Sequence, residues 1–321
     1  MTAASKRRRS SGARAARFAL HPAPTMAVVA AAFVFPRFAI AETDAMHAAH
    51  AKTQAKLEAI AASVRGDFGV VVEDLRGEHR FAVNENGVFP QASAIKIPIL
   101  MELLRQAHVG KLDLETRLTI DAASKTPGSG VLFELSDGGS ELSLADLAVV
   151  MIVLSDNTAT NLLIDAVGMD AVNATMASLG LEQTRLRRRM MDTAAADRGE
   201  ENTSSPAEAA RIMRLLAEGK FIDRGLCDRA LAILRKPKRG AVGASLPAEI
   251  AVAFKPGAIP GVATEWALVE LKNRPYIVAV MGNFGNDAEL EGSLRDVGAV
   301  AYDFFRRIAV ATPYGSYSTP P

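Results

Sequence analysis

Two groups of β-rich segments, one near each end of the chain, flank a long helical middle. The first group covers residues 67–75 and 79–83, which a turn at Arg76-Gly77 joins into a predicted hairpin. The second group covers residues 249–254, 264–271 and 275–281. Segments so far apart in sequence can share one core by pairing, so we predict a five-stranded antiparallel sheet.

Helices are predicted to cover this sheet and to form a separate lobe. A segment at 44–64 and another at 290–308 have apolar residues at a helical period and are expected to pack on the sheet. Residues from about 91 to 235 are expected to form an all-α lobe inserted between strands two and three. The fold class is therefore α/β, of the α+β kind, with a first lobe built from about 42–90 and 236–312 and a cleft between the lobes where a site is expected.

The first 41 residues are predicted to be a targeting segment and not part of the fold. Residues 6–9 are basic, an apolar run follows at 26–35, and Ala39-Ile40-Ala41 offers a small-x-small cleavage site. The apolar run is too short to span a bilayer, so no stable membrane span is expected. We expect a periplasmic or secreted protein of residues 42–321, with the export route open and a disordered basic tail as the alternative.

The composition limits the kinds of partner and cofactor that the chain is expected to bind. It has 321 residues, 49% hydrophobic and 23% charged, and its net charge of +1 gives no support for nucleic-acid binding. Cys227 is the only cysteine, which excludes an internal disulfide, and we expect it in or at the core. His47 and His50 lie on an exposed helix without further ligands, so we expect no metal or other cofactor. We expect a monomer that acts on a small molecule.

Ser93 and Lys96 are the first candidate pair for chemistry. They stand three residues apart at a predicted helix start, which places the serine Oγ and the lysine Nζ on one face. Serine is a poor nucleophile at neutral pH, and a lysine whose charge is disfavoured by burial can take its proton. Taken alone, the pair also fits a helix capped by serine with an exposed lysine one turn later.

Two further short strings complete the pattern. Ser155-Asp156-Asn157 ends a helix that is apolar on all sides, and Lys255-Pro256-Gly257 lies in the first C-terminal strand. Alone, the first fits an ordinary helix-ending turn and the second a bend at a strand edge. In this order and together, the three strings resemble the signature of class A β-lactamases and penicillin-binding proteins. The resemblance covers about residues 57–308.

The resemblance implies a serine hydrolase that works through an acyl-enzyme. Ser93 would attack the substrate carbonyl, Lys96 would take or relay its proton, and Ser155 would pass a proton to the leaving nitrogen. It implies no metal and no organic cofactor.

The resemblance also implies which groups hold the substrate. Lys255 would keep the electrostatic field of the site positive and attract a substrate carboxylate, and Asn157 would bind the substrate amide. The backbone N–H groups of Ser93 and Ala258 would form the oxyanion hole, with Gly257 beside them on the strand.

Three features depart from the family pattern. Met190 stands where class A β-lactamases carry the glutamate that activates water for deacylation, and Asp192 is the nearby residue that we name as a substitute base. The arginine that pairs with an aspartate at the neck of this loop would be Arg188, but Asn202 stands at the partner position, so the ion pair is predicted to be lost. Pro256 replaces a hydroxyl residue that contacts the substrate carboxylate. Acylation is therefore expected to be intact and deacylation slow.

These observations favour β-lactam hydrolysis, an activity that underlies antibiotic resistance. Two other functions fit the same residues. One is a related hydrolase acting on esters or D-alanyl peptides, in which the leaving group does not require the loop glutamate. The other is a penicillin-binding sensor that becomes acylated and stays so. Steady-state turnover separates the enzymes from the sensor.

Overall fold

The computed structural model describes residues 44–312 and 314–317, and the predicted targeting segment with its cleavage site lies outside these ranges. In the described part of the chain no helix combines the length and the apolar character that crossing a membrane requires. The strands are β1 (Asp67–Asp74), β2 (Arg80–Val83), β3 (Phe89–Pro90), β4 (Arg117–Ile120), β5 (Ser140–Ser143), β6 (Thr203–Ser204), β7 (Val252–Ile259), β8 (Val262–Val269) and β9 (Tyr276–Asn283).

Most of the helices lie between β3 and β7. They are α1 (Asp44–Ser63), α2 (Lys96–His108), α3 (Leu144–Val153), α4 (Asn157–Val167), α5 (Met169–Ser178), α6 (Thr193–Asp197), α7 (Pro206–Glu218), α8 (Arg224–Leu234), α9 (Ala241–Ala244) and α10 (Asp287–Ile308). Two short 3₁₀ turns, Ala92–Ile95 and Leu132–Glu134, complete the list.

The central sheet is the predicted five-stranded antiparallel one. Its strand order is β2-β1-β9-β8-β7, so the hairpin near the N-terminus pairs with the last strand of the chain. Both faces are covered, which explains why three consecutive valines of β1 are fully buried. Val71 packs in the core beneath the helical lobe, whereas Val70 and Val72 pack in a second core with the apolar face of α10. The fold prediction is confirmed.

The structure differs from the prediction in two places. The lobe expected to be all-α also contains the β4–β5 hairpin, whose strands have only four residues each, the shortest length over which an apolar alternation can be recognised. The first C-terminal strand runs from Val252 to Ile259, later than the predicted 249–254. Lys255-Pro256-Gly257 lies within β7, as predicted, and proline is tolerated there because β7 is an edge strand.

Candidate active site

Ser93 lies on the 3₁₀ turn that precedes α2, not on the α-helix itself. The preceding Ala92 has a φ of +43°, a strained value for a residue with a side chain. Gln91 anchors this turn to the sheet, because its Oε1 accepts a hydrogen bond from Trp266 Nε1 at 2.9 Å and its backbone oxygen accepts one from Thr264 Oγ1 at 3.1 Å. The nucleophile candidate is therefore held by buried contacts to β8.

Lys96 joins the first two sequence strings at one point. Its Nζ, at the end of a fully buried side chain, lies 3.0 Å from Ser93 Oγ, 3.1 Å from Ser155 Oγ, 2.8 Å from the Ser155 backbone oxygen and 3.2 Å from Asn157 Oδ1. Four oxygens surround one amine. The structure therefore brings together Ser93, Lys96, Ser155 and Asn157 as the sequence predicted.

Burial is the main reason that Lys96 can act as a base. It holds the pKa of Lys96 well below its ordinary value, and the positive charge of Lys255 lowers this pKa further, while the Asp156 carboxylate acts in the opposite direction. A neutral amine 3.0 Å from Ser93 Oγ can accept the hydroxyl proton.

Ser155 lies between two lysines. It occupies the junction of α3 and α4 with a φ of +54°, a strained value for a residue with a side chain. Its Oγ is 3.1 Å from Lys96 Nζ and 3.1 Å from Lys255 Nζ. A hydroxyl with these two neighbours can receive a proton from one side and release its own on the other.

Asp156 fixes the local geometry of the Ser155 junction. Its Oδ1 accepts a hydrogen bond from Ala159 N at 2.8 Å, which caps α4, and its Oδ2 accepts from Val131 N at 2.6 Å and from Leu132 N at 2.9 Å. One buried carboxylate thus ties the start of α4 to the loop on the other side of the cleft.

Lys255 reaches the site from the edge strand β7. Its side chain is almost fully buried, and Nζ donates to Ser155 Oγ and, at 2.8 Å, to the backbone oxygen of Pro256. The pKa of Lys255 is lowered to about 7, mainly by burial and also by the charge of Lys238, while the Glu265 carboxylate opposes both. The ammonium form therefore titrates near neutral pH.

Gly257 has a steric role beyond the substrate-binding role predicted for it. A Cβ at this position would lie 2.4 Å from the Gln91 backbone oxygen and 2.8 Å from Ala94 N. Only glycine lets β7 approach the Ser93 turn this closely. Ala258, the predicted oxyanion-hole residue, follows on the same strand and is exposed.

Gly257→Ala is therefore expected to slow acylation of Ser93 by ~10²-fold, because a shift of about 1 Å between β7 and the serine misplaces the reacting groups. The measurement is the rate of acyl-enzyme formation with a penicillin. Gly292→Ala on α10 is the matched control, since a Cβ there meets nothing within 4 Å. An unchanged acylation rate in Gly257→Ala would contradict this role of the close approach.

The loop that carries Met190 is fixed by an asparagine clamp. Asn161 Oδ1 accepts a hydrogen bond from Met190 N at 2.9 Å, and Asn161 Nδ2 donates to the Met190 backbone oxygen at 3.1 Å. Sequence reasoning missed this role of Asn161. The available signal was its spacing of four residues from Asn157, which places both amides on one face of α4.

The predicted loss of the ion pair at the neck of this loop is wrong. Arg188 pairs with Glu201, with Nη2 3.0 Å from Oε2 and Nε 3.2 Å from the same oxygen. The acidic partner is therefore Glu201, one residue before Asn202, where the family pattern placed it. Asn202 contributes in another way, because its Oδ1 accepts from the backbone N–H groups of Arg187 and Arg188.

Asp192 has a structural role in the described part of the chain. It caps the short helix α6, where its Oδ1 accepts a hydrogen bond from Ala195 N at 2.9 Å, and it is exposed. Among the residues that the structure describes, no hydrogen bond joins Asp192 to Ser93 or Lys96. Its assignment as the deacylation base stays a prediction.

The remaining candidate residues lie outside the site. His50 hydrogen-bonds the Arg80 backbone oxygen at 3.2 Å and stacks on Phe81, and within residues 44–312 and 314–317 no group of three or more His, Cys, Asp or Glu side chains could hold a metal ion. Cys227 is fully buried in α8, as predicted, with Sγ 3.2 Å from the Phe221 backbone oxygen.

The chain is similar in sequence and in fold to known proteins of one family. The profile of the beta-lactamase enzyme family matches residues 52–305. The chain belongs to this family. It is 30% identical over 223 residues to the imipenem-hydrolyzing beta-lactamase of Enterobacter cloacae, a match that covers 67% of this chain and 76% of that protein.

Solved structures of beta-lactamase family members have the same fold. A beta-lactamase from Sphaerobacter thermophilus, 33% identical, superposes with a TM-score of 0.71 over 79% of this chain and 96% of the other. An ancestral class A beta-lactamase, 27% identical, gives a TM-score of 0.72 with 78% and 99% covered. A variant of PBP-A, solved as an acyl-enzyme complex with penicillin-G, is 28% identical, with a TM-score of 0.73 and 80% and 97% covered.

Proposed function

We propose that this beta-lactamase family member hydrolyses β-lactams through a covalent acyl-Ser93 intermediate. The observation that carries the proposal is the fully buried Lys96 amine 3.0 Å from Ser93 Oγ. The acyl-enzyme of the PBP-A variant with penicillin-G supports the same intermediate in this fold.

The acylation step follows from the contacts of Lys96 and Ser155. Ser93 Oγ forms a bond to the lactam carbonyl carbon as its proton moves to neutral Lys96. The tetrahedral intermediate then collapses, the lactam C–N bond breaks, and the leaving nitrogen takes the Ser155 hydroxyl proton. Lys96, 3.1 Å from Ser155 Oγ, returns a proton to Ser155, so both residues end the step in their starting forms.

Hydrolysis completes the cycle when water attacks the acyl-Ser93 ester. Each protein molecule therefore opens the lactam ring of many substrate molecules in turn. The proposal is tested by following the loss of lactam absorbance with benzylpenicillin and a cephalosporin. More than one equivalent of substrate must be consumed per protein molecule, and Ser93→Ala must abolish the reaction. Consumption of a single equivalent would instead identify the penicillin-binding sensor.

Substrate recognition is expected to depend on pH through Lys255. With a pKa of about 7, Lys255 carries its positive charge below neutral pH and loses it as the pH rises. The attraction of Lys255 for a substrate carboxylate is therefore also lost as the pH rises. KM for benzylpenicillin should rise as the pH increases through about 7. Benzylpenicillin methyl ester, which lacks the carboxylate charge, should show no such rise. Parallel pH dependence for both compounds would contradict the role of Lys255.

We also propose that the protein is exported after cleavage near Ala41. The support is the sequence of residues 1–41, with a basic region, an apolar run and a small-x-small site. N-terminal sequencing of native material should find Glu42 first, whereas an uncleaved chain in the cytoplasm would contradict export.

A further inference from the structure

Three strained backbone conformations lie around the candidate site. Among the described residues, seven residues other than glycine have a positive φ, and three of them, Ala92, Ser155 and Met191, belong to the segments that surround the cleft. The first two position the site groups described above. Met191, at a φ of +63°, has no role in the proposed mechanism.

Met191 is the one exposed methionine in the described part of the chain. Its exposed fraction is 48%, whereas the other described methionines are buried or half-buried. The asparagine clamp on Met190 fixes the preceding residue, and Thr193 N donates to the Met191 backbone oxygen at 3.0 Å. The side chain is therefore held at the surface by an ordered backbone.

The thioether of Met191 lies near Gly128 and the side-chain amide of Asn157. A Cβ added to Gly128 would lie 3.3 Å from the Met191 sulfur and 2.8 Å from Asn157 Nδ2. The sulfur, Gly128 and the Asn157 amide therefore form one continuous surface. Asn157 also contacts Lys96 and is the residue proposed to bind the substrate amide.

Exposure is the main factor that decides which methionine in a protein is oxidised. We propose that Met191 is an oxidation site whose conversion to the sulfoxide obstructs the cleft and slows acylation of Ser93. The oxidant is a peroxide. Its O–O bond breaks, one oxygen atom bonds to the Met191 sulfur, the sulfur loses two electrons, and hydrogen peroxide is reduced to water.

The effect on the cleft follows from the size and polarity of the new group. The sulfoxide adds an oxygen to a sulfur that leaves only 3.3 Å to a Cβ added at Gly128, next to the Asn157 amide. The new oxygen must be buried when a substrate covers this surface, and it competes with the substrate amide for the Asn157 side chain. This costs enough to slow acylation by roughly tenfold.

The experiment treats the full chain with increasing hydrogen peroxide, locates each added oxygen by peptide mass mapping, and measures the rate of acylation by benzylpenicillin. We expect Met191 to be oxidised before the other described methionines and acylation to fall in step with that oxidation. Methionine sulfoxide reductase should restore the rate. Met191→Leu should show no peroxide-dependent fall relative to its own untreated rate. Met169→Leu, which removes a half-buried methionine, should respond as the unsubstituted protein does.

This inference rests on the proposed function, and the readouts separate the two. Absence of any acylation before peroxide treatment overturns both. Normal acylation together with preferential oxidation elsewhere, or with Met191 oxidation that leaves the rate unchanged, overturns the inference alone. Peptide mapping on the unsubstituted protein gives this answer even where a variant folds poorly.

Discussion

Replacing Lys96 with methionine is expected to slow acylation of Ser93 by ~10²–10⁴-fold, the usual effect of removing a positioned base. The amine lies 3.0 Å from Ser93 Oγ, and among the contacts described here no carboxylate or histidine is within hydrogen-bond distance of that serine. Methionine fills much of the lysine stem and removes the cost of burying an amine, so the free energy of unfolding should not fall for that reason. The measurement is the rate of adduct formation with benzylpenicillin.

Lys238→Met is the matched control for this change. Lys238 is also partly buried, but its Nζ donates to the backbone oxygens of Leu234 and Lys236 and makes no contact with Ser93. Loss of the Lys238 amine should slow acylation of Ser93 far less than loss of the Lys96 amine. Equal effects in the two variants would show that a general loss of positive charge, and not a base beside Ser93, determines the rate.

Met190→Glu is expected to speed release of the acyl group by ~10²–10⁴-fold while the acylation rate stays nearly the same. An acyl ester in a shielded cleft is long-lived unless a base positions water against it, and methionine cannot act as one. The loop is ready to hold such a base, because the Asn161 clamp and the Arg188–Glu201 pair both fix its backbone. The measurement is the decay rate of the isolated acyl-enzyme.

Met190→Gln is the control, since it matches the size and polarity of glutamate without its basicity. Similar release rates in both variants would mean that the loop does not place this side chain against the ester. Rapid release by the unsubstituted protein would point to Asp192 instead. Asp192→Asn should then be the damaging change, and because asparagine also caps helices well, α6 should stay intact.

Much of the fold could be predicted because its signals are local. The apolar period of α10, the Ser143 cap of α3 and the Ser205 cap of α7 are visible in short windows of sequence, and each is present in the structure. The β4–β5 hairpin was missed because each strand has only four residues, although Leu118, Ile120 and Leu142 pack against the core of the helical lobe.

The sequence could predict which residues form the candidate site, but not how they come together in space. Three short strings indicated Ser93, Lys96, Ser155 and Lys255, but their convergence depends on contacts across up to 100 residues, such as Lys255 with Ser155. The Arg188–Glu201 pair was missed for the same reason. A count along the chain cannot show that the loop neck brings the neighbouring residue to the arginine.

Acylation of Ser93 can be followed directly by intact mass, measured over time after the protein is mixed with benzylpenicillin. We expect a rapid mass increase equal to the whole penicillin, located on Ser93 by peptide mapping, followed by slower return to the free mass. Ser93→Ala should show no increase. An adduct that persists in Ser93→Ala, or that maps to Ser155, would contradict the assignment of Ser93 as the nucleophile.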